Sequence, residues 1–156
     1  MSPSLRVLTA FLASYAAGLV GFLFVGSQLS SWYEALSKPP LTPSASVFVI
    51  VWILLYALMA LALSIVWTKN PQDALCAGWA RFFFVQLLFN AAWTIFFFGF
   101  HATLIAFFDI LFLIFIIAAL MASAYEIDSR VNWLLLPYLI WVLFAGYLNL
   151  GVWFLN

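Results

Sequence analysis

A few side chains with chemical capability are set into the long apolar runs of this chain, and they recur at helical spacing. Gln86 and Asn90 are four residues apart, with Trp93 three further on. Trp52 and Tyr56 are again four apart, and Tyr138, Trp141, Ala145 and Asn149 follow one another at intervals of three or four. On a helix such spacings put each set on one face. Asp109 is the only charge inside any run. Indole and phenol rings stack on flat π systems, and carboxamides hydrogen-bond the edges of whatever is stacked. This is the chemistry of holding a ligand rather than breaking a bond. No nucleophile–base pair, glycine-rich phosphate loop or metal-ligand spacing occurs, so no metal site is expected. The single cysteine, Cys76, excludes an internal disulfide and a thiolate cluster. Asn90 and Gln86 read equally as ligand contacts or as interhelical glue. Asp109 reads either as a structural acceptor or as a proton or ligand site. His101, the only histidine, falls between two runs and is the one candidate axial ligand.

The elements that carry these residues are membrane spans. Hydrophobic residues make up 69% of the chain and charged residues only 6%, against roughly a quarter charged in a soluble domain. The apolar runs cover residues 7–25, 47–67, 82–100, 102–125 and 131–155. At about 1.5 Å per residue each can cross a hydrocarbon core of about 30 Å. A transmembrane barrel would alternate in and out over segments of about ten residues, whereas these runs are apolar on all faces. The expectation is an all-α membrane protein, a bundle of five transmembrane helices in one domain, residues 1–156. Net charge is zero, and no basic cluster suggests nucleic acid. Arg6, Lys69, Arg81 and Arg130 fall on one side of a five-span arrangement and Lys38 alone on the other. That asymmetry favours a cytoplasmic N-terminus. Ala13, Ala17 and Gly21 form a small-residue stripe that permits close helix approach, within the chain or across a dimer. Pro137 frees a carbonyl one turn earlier in the last span.

Counted from the side that carries residues 31–43, Trp52, Tyr56, Asn90, Trp93, Asp109, Trp141 and Asn149 fall roughly 8 to 20 Å below the surface. Four helices thus place aromatic or amide groups in one half of the membrane, as a pocket between helices requires. The stretch "SWYEALSKPPLTP" (31–43) would cross its mouth. Pro39, Pro40 and Pro43 each fix their own φ and restrict the preceding residue, so this lid loses little entropy on ordering. "WYEAL" can form a short turn that dips Trp32, Tyr33 and Leu36 toward the membrane.

"WYEALSKPPLTP" followed by Trp52 and Tyr56, then "QLLFNAAWTIFFFG" (86–99) and "LPYLIWVLFAGYLN" (136–149), closely resembles the TspO/MBR family, in particular its bacterial members. That family comprises the tryptophan-rich sensory proteins and the translocator protein, or peripheral benzodiazepine receptor. The resemblance implies a five-helix membrane protein, generally homodimeric, in the lipid bilayer. It also implies binding of tetrapyrroles such as protoporphyrin IX and haem, as ligands rather than obligatory cofactors, and of isoquinoline carboxamide or benzodiazepine-type drugs. Carried over position by position, the family's pocket residues are Tyr33, Trp52, Asn90, Asp109, Trp141 and Ala145. Two departures stand in the lid, where many members have Trp in place of Leu41 and Pro in place of Ser44. The sterol motif of the mammalian members is incomplete here, because Leu150 occupies its Tyr position and no basic residue follows.

The reading that results is a tetrapyrrole receptor or sensor, best placed, by its all-helical spans, in a bacterial inner membrane. Its macrocycle would stack on Trp52, Trp93 or Trp141 and be covered by Tyr33 and the lid, with Lys38 at the mouth meeting a propionate. The alternatives are light-dependent porphyrin breakdown, with Trp141 as the oxidisable indole, and tetrapyrrole transport.

Overall fold

A computed structural model describes residues 1–156, the side chains of Ser27, Leu29 and Ser30 excepted. Five long helices make up the fold: α1 (Pro3–Gln28), α2 (Ala45–Lys69), α3 (Ala74–Thr94), α4 (Thr103–Ile127) and α5 (Arg130–Leu155). α1 and α3 each run on into a π-helical turn, Leu29–Tyr33 and Ile95–Gly99 respectively. All five are long and apolar enough to cross a membrane. The helices outrun the apolar runs at most ends, most of all at α3, which starts before Arg81. Its N-terminus is set by Asp73, whose carboxylate accepts from Cys76 N at 2.9 Å and so satisfies an otherwise orphaned donor. A helix can keep charged side chains in its first turns where these emerge from the hydrocarbon. Ser44 caps α2 in the same way, accepting from Val47 N at 3.5 Å. The lid departure at Ser44 therefore has a local use. α5 continues through Pro137 without interruption.

Two of the basic residues outside the hydrocarbon bind helix ends. Arg6 Nη1 donates to the Trp67 carbonyl near the end of α2 at 2.7 Å, and Lys69 Nζ donates to the Ile127 carbonyl that ends α4. Cations suit these carbonyl-rich termini. Asp128, in the α4–α5 turn, pairs with Arg130 at 2.9 Å and Lys69 at 3.5 Å. Its bonds to Arg130 hold its carboxyl well below the usual carboxylate range.

Around the bundle the helices touch in the order α1, α2, α5, α4, α3 and back to α1, with a further contact of α2 on α3 across the middle. Phe83, Leu63, Met59, Ile117, Leu120 and Leu135 fill the centre. α1 is the loosest member, with 17% of its apolar window buried inside the protein against 39–44% for the others. Its small-residue stripe packs within the chain: Ala13 and Ala17 lie on the core, and a Cβ on Gly21 would fall 2.9 Å from Thr94 Oγ1.

Candidate ligand cavity and its lid

In its lid-side half α2 presents Phe48, Trp52 and Tyr56 inward at intervals of four residues. Trp52 and Tyr56 lie with ring centroids 5.4 Å apart. The Tyr56 hydroxyl donates to Asn90 Oδ1 at 2.7 Å, and Asn90 Nδ2 donates to the Tyr138 hydroxyl at 3.1 Å. Tyr138 in turn donates to Gln86 Oε1 at 2.7 Å. This relay joins α2, α3 and α5 and satisfies each buried hydroxyl, as a polar network in an apolar medium requires. Nearer the lid, Trp93 Nε1 donates to Asn149 Oδ1 at 2.9 Å, while Asn149 Nδ2 donates to the Thr103 carbonyl at 2.6 Å. Asn149 thereby ties α3, α5 and the start of α4. The amides serve as interhelical glue, and Asn90 still has one N–H to offer.

Above this floor lies a cavity of about 660 Å³, a size that accommodates a drug-sized ligand. Its walls include Tyr33, Trp52, Tyr56, Asn90, Trp93, Ala145 and Asn149, all of them candidates from the sequence. Three other candidates are not on its wall. Tyr138 is fully buried beneath the floor. Asp109 is buried on α4, a helix that contributes nothing to the lining, and its Oδ2 has no hydrogen-bond partner among the described residues. Trp141 stands behind Phe48, with ring centroids 5.8 Å apart and its Nε1 unpartnered among the described residues. The lining also includes Phe48, Thr94, Phe97, Phe98 and Leu148, together with a whole wall from α1 that includes Gly18, Gly21 and Val25. Sequence reasoning missed these. Gly18 and Gly21 carried a signal, since small residues on a span mark close approach; a Cβ on Gly18 would press on the Tyr56 ring.

The lid is fastened rather than loose. Trp32 stacks on His101, with centroids 4.0 Å apart and planes at 11°, and meets Phe97 edge-on. His101 Nε2 is 3.1 Å from Gln28 Oε1, so this histidine faces its neighbours in the lid. Tyr33 packs on Phe97 and Phe98 and lines the cavity roof with Pro43. Burial raises its phenol pKa above the ordinary value. Lys38 Nζ sits 4.9 Å over the Tyr33 ring and donates to the carbonyls of Glu34 and Leu36. Pro39 is buried against Gly151, where a Cβ would fall 2.6 Å from the proline Cβ. Tyr147 donates to the Pro40 carbonyl at 3.0 Å, and Thr42 Oγ1 closes the turn onto the Pro39 carbonyl at 2.7 Å. Leu41, between them, takes a left-handed φ of 68° and points outward, 80% exposed. Asn156 acts as a clasp, its amide donating to Ser37 O and accepting from Ser37 N, both at 3.0 Å.

A model of the TspO/MBR family matches residues 10–154. The chain is 34% identical over 152 residues to the tryptophan-rich protein TspO of Archaeoglobus fulgidus, covering 97% of both chains. It is 36% identical over 146 residues to the protein of the same name from Chlorobaculum tepidum, covering 90% of this chain and 89% of that one. The translocator protein of Bos taurus is 29% identical over 140 residues, covering 87% of this chain and 81% of its own.

Proposed function

Because the chain belongs to the TspO/MBR family, we propose that it is a membrane receptor or sensor that binds tetrapyrroles such as protoporphyrin IX or haem. Flat aromatic drugs of the isoquinoline carboxamide and benzodiazepine types would enter the same site. The observation that carries this reading is the cavity of about 660 Å³, in which Trp52, Trp93 and Tyr33 from three segments surround one apolar space above the Asn90 amide. Rings there supply stacking faces, and the amide supplies an edge contact. Lys38, held over Tyr33 at the roof, is the cation nearest the mouth for a propionate. In this reading the chain works as a homodimer in a bacterial inner membrane.

The test is a titration of purified protein with protoporphyrin IX in the dark, followed by illumination. Saturable quenching of tryptophan fluorescence supports the receptor; absence of saturation overturns it. Illumination decides the alternative of porphyrin breakdown. An excited porphyrin can take one electron from an indole in contact with it, and the indoles on the cavity wall are Trp52 and Trp93, not Trp141. Trp52→Phe is therefore expected to slow loss of the porphyrin band severalfold, and Trp141→Phe to leave it within about twofold. Equal bleaching in wild type and Trp52→Phe would reduce the indole to a stacking surface.

The distribution of Arg6, Lys69, Arg81 and Arg130 against Lys38 supports a cytoplasmic N-terminus. In a Cys76→Ser background, an impermeant thiol reagent applied to intact cells should label Ser37→Cys and spare Ser129→Cys. Labelling of only the latter would reverse the topology.

A further inference from the structure

α1 changes partners along its length. In the half remote from the lid it lies on α2, with Ala10 and Ser14 fully buried and Arg6 on the Trp67 carbonyl. From Gly21 onward it leans on α3 and the turn after it, Gly21 against Thr94 and Phe24 against Gly99. α2 does not follow, so a wedge opens between the lid-side halves of α1 and α2. Tyr15, donating to the Ile53 carbonyl at 3.1 Å, lies at its apex. Leu19, Val49 and Ile53 edge this wedge, line the cavity, and are at the same time 61%, 43% and 51% exposed. Exposed apolar side chains at this depth face acyl chains. The roof, in contrast, is held by the Asn156–Ser37 clasp, the Tyr147–Pro40 bond and the Pro39–Gly151 contact.

We propose that the cavity is loaded sideways, from the acyl-chain region of the bilayer, through the wedge between α1 and α2, while the lid stays closed. The ligand class is then a flat, apolar molecule that partitions into membranes before it binds. A polar edge, such as a carboxylate, would stay toward the lid-side headgroups while the ring system slides between Leu19 and Val49. The identity of the occupant rests on the receptor reading above; the opening itself does not.

Two measurements on the full chain in lipid nanodiscs test this. The first is stopped-flow quenching by protoporphyrin IX. Leu19→Trp and Val49→Trp, which narrow the wedge, are expected to slow association and dissociation together by about tenfold. Asn156→Ala, which opens the clasp, is expected to leave both rates within twofold. Faster rates in Asn156→Ala with no effect of the tryptophans would put entry under the lid and overturn the proposal. The second is carbene labelling of the ligand-free protein by an apolar aryl diazirine dissolved in the bilayer. Thr94 and Leu148, on the inner wall, should be labelled, and Leu19→Trp should reduce that labelling severalfold. Labelling that spares both residues in the wild type would also overturn it. If Thr94 and Leu148 are labelled, and protected by Leu19→Trp, while protoporphyrin IX fails to quench, the lateral opening stands and only the tetrapyrrole reading falls.

Discussion

Ala145→Phe is expected to weaken protoporphyrin IX binding by at least 100-fold while the protein still folds and inserts. Ala145 lies on the inner wall, on the cavity side of α5, and is 6% exposed. A benzyl group built there has one open direction, into the cavity, where it takes the place of the ligand's rings. A loss of 100-fold corresponds to about 2.7 kcal/mol, a modest demand for a ring lodged where the ligand must lie. Overpacking in a filled core costs about 1–3 kcal/mol, but here the new ring enters empty space. Thermal unfolding in detergent should therefore shift by only a few degrees. Tryptophan quenching by protoporphyrin IX and the melting curve are the two readouts. Undiminished affinity with a normal melt would place the ligand away from α5.

The sequence carried the height of each side chain more faithfully than its direction. A rise of about 1.5 Å per residue fixes depth once a span is recognised, and spans announce themselves by length and apolarity. Pairs four apart, Trp52 with Tyr56 and Gln86 with Asn90, were legible because a polar or aromatic group stands out in a span and its period names its face. Azimuth relative to a pocket needs the neighbours as well. At 3.6 residues per turn, Ala145 and Asn149 fall within about 20° of Tyr138, but Trp141 is rotated by about 60° from it. That offset sets Trp141 behind Phe48 instead of on the cavity wall. Asp109 has the right depth on the wrong helix, since α4 stands behind α3 and α5 in the ring. The α1 wall was illegible for a different reason. Beyond Gly18 and Gly21, the lid-side half of α1 is apolar on all sides, so little in its pattern separates the residues that see the cavity from those that see lipid. The clasp of Asn156 on Ser37 joins residues distant in sequence through one amide, which no local pattern encodes.

The largest stability effect is expected from the hydroxyl of Tyr138. Tyr138→Phe removes one oxygen that accepts from Asn90 Nδ2 and donates to Gln86 Oε1, and both partners lie almost wholly buried. A buried group left unpaired costs about 1–3 kcal/mol, so two give about 2–6 kcal/mol if no water replaces the oxygen. Single interhelical hydrogen bonds in membranes average only about 0.6 kcal/mol, because partners are usually found elsewhere. Here Tyr138, Gln86 and Asn90 all lie in the buried centre of the bundle, and relief is scarce. Apart from Tyr138, Gln86 has among the described residues only a long contact from Nε2 to the Met59 sulfur, at 3.8 Å. A double substitution separates these views: Tyr138→Phe with Gln86→Met removes the orphaned acceptor and should recover about half of the loss in denaturant or thermal unfolding. No recovery would mean that the phenol acts through packing. The same variant tests the division of labour within the relay. Tyr138 is below the cavity floor and Asn90 forms part of it, so Tyr138→Phe should leave protoporphyrin IX affinity within about threefold at a temperature where the protein is folded. Tyr56→Phe, whose ring lines the cavity and whose hydroxyl fixes Asn90 Oδ1, should instead alter affinity and stability together. If the two variants lose affinity alike, the relay positions Asn90 as a unit, and the floor of the cavity cannot be divided into a structural and a ligand-facing layer.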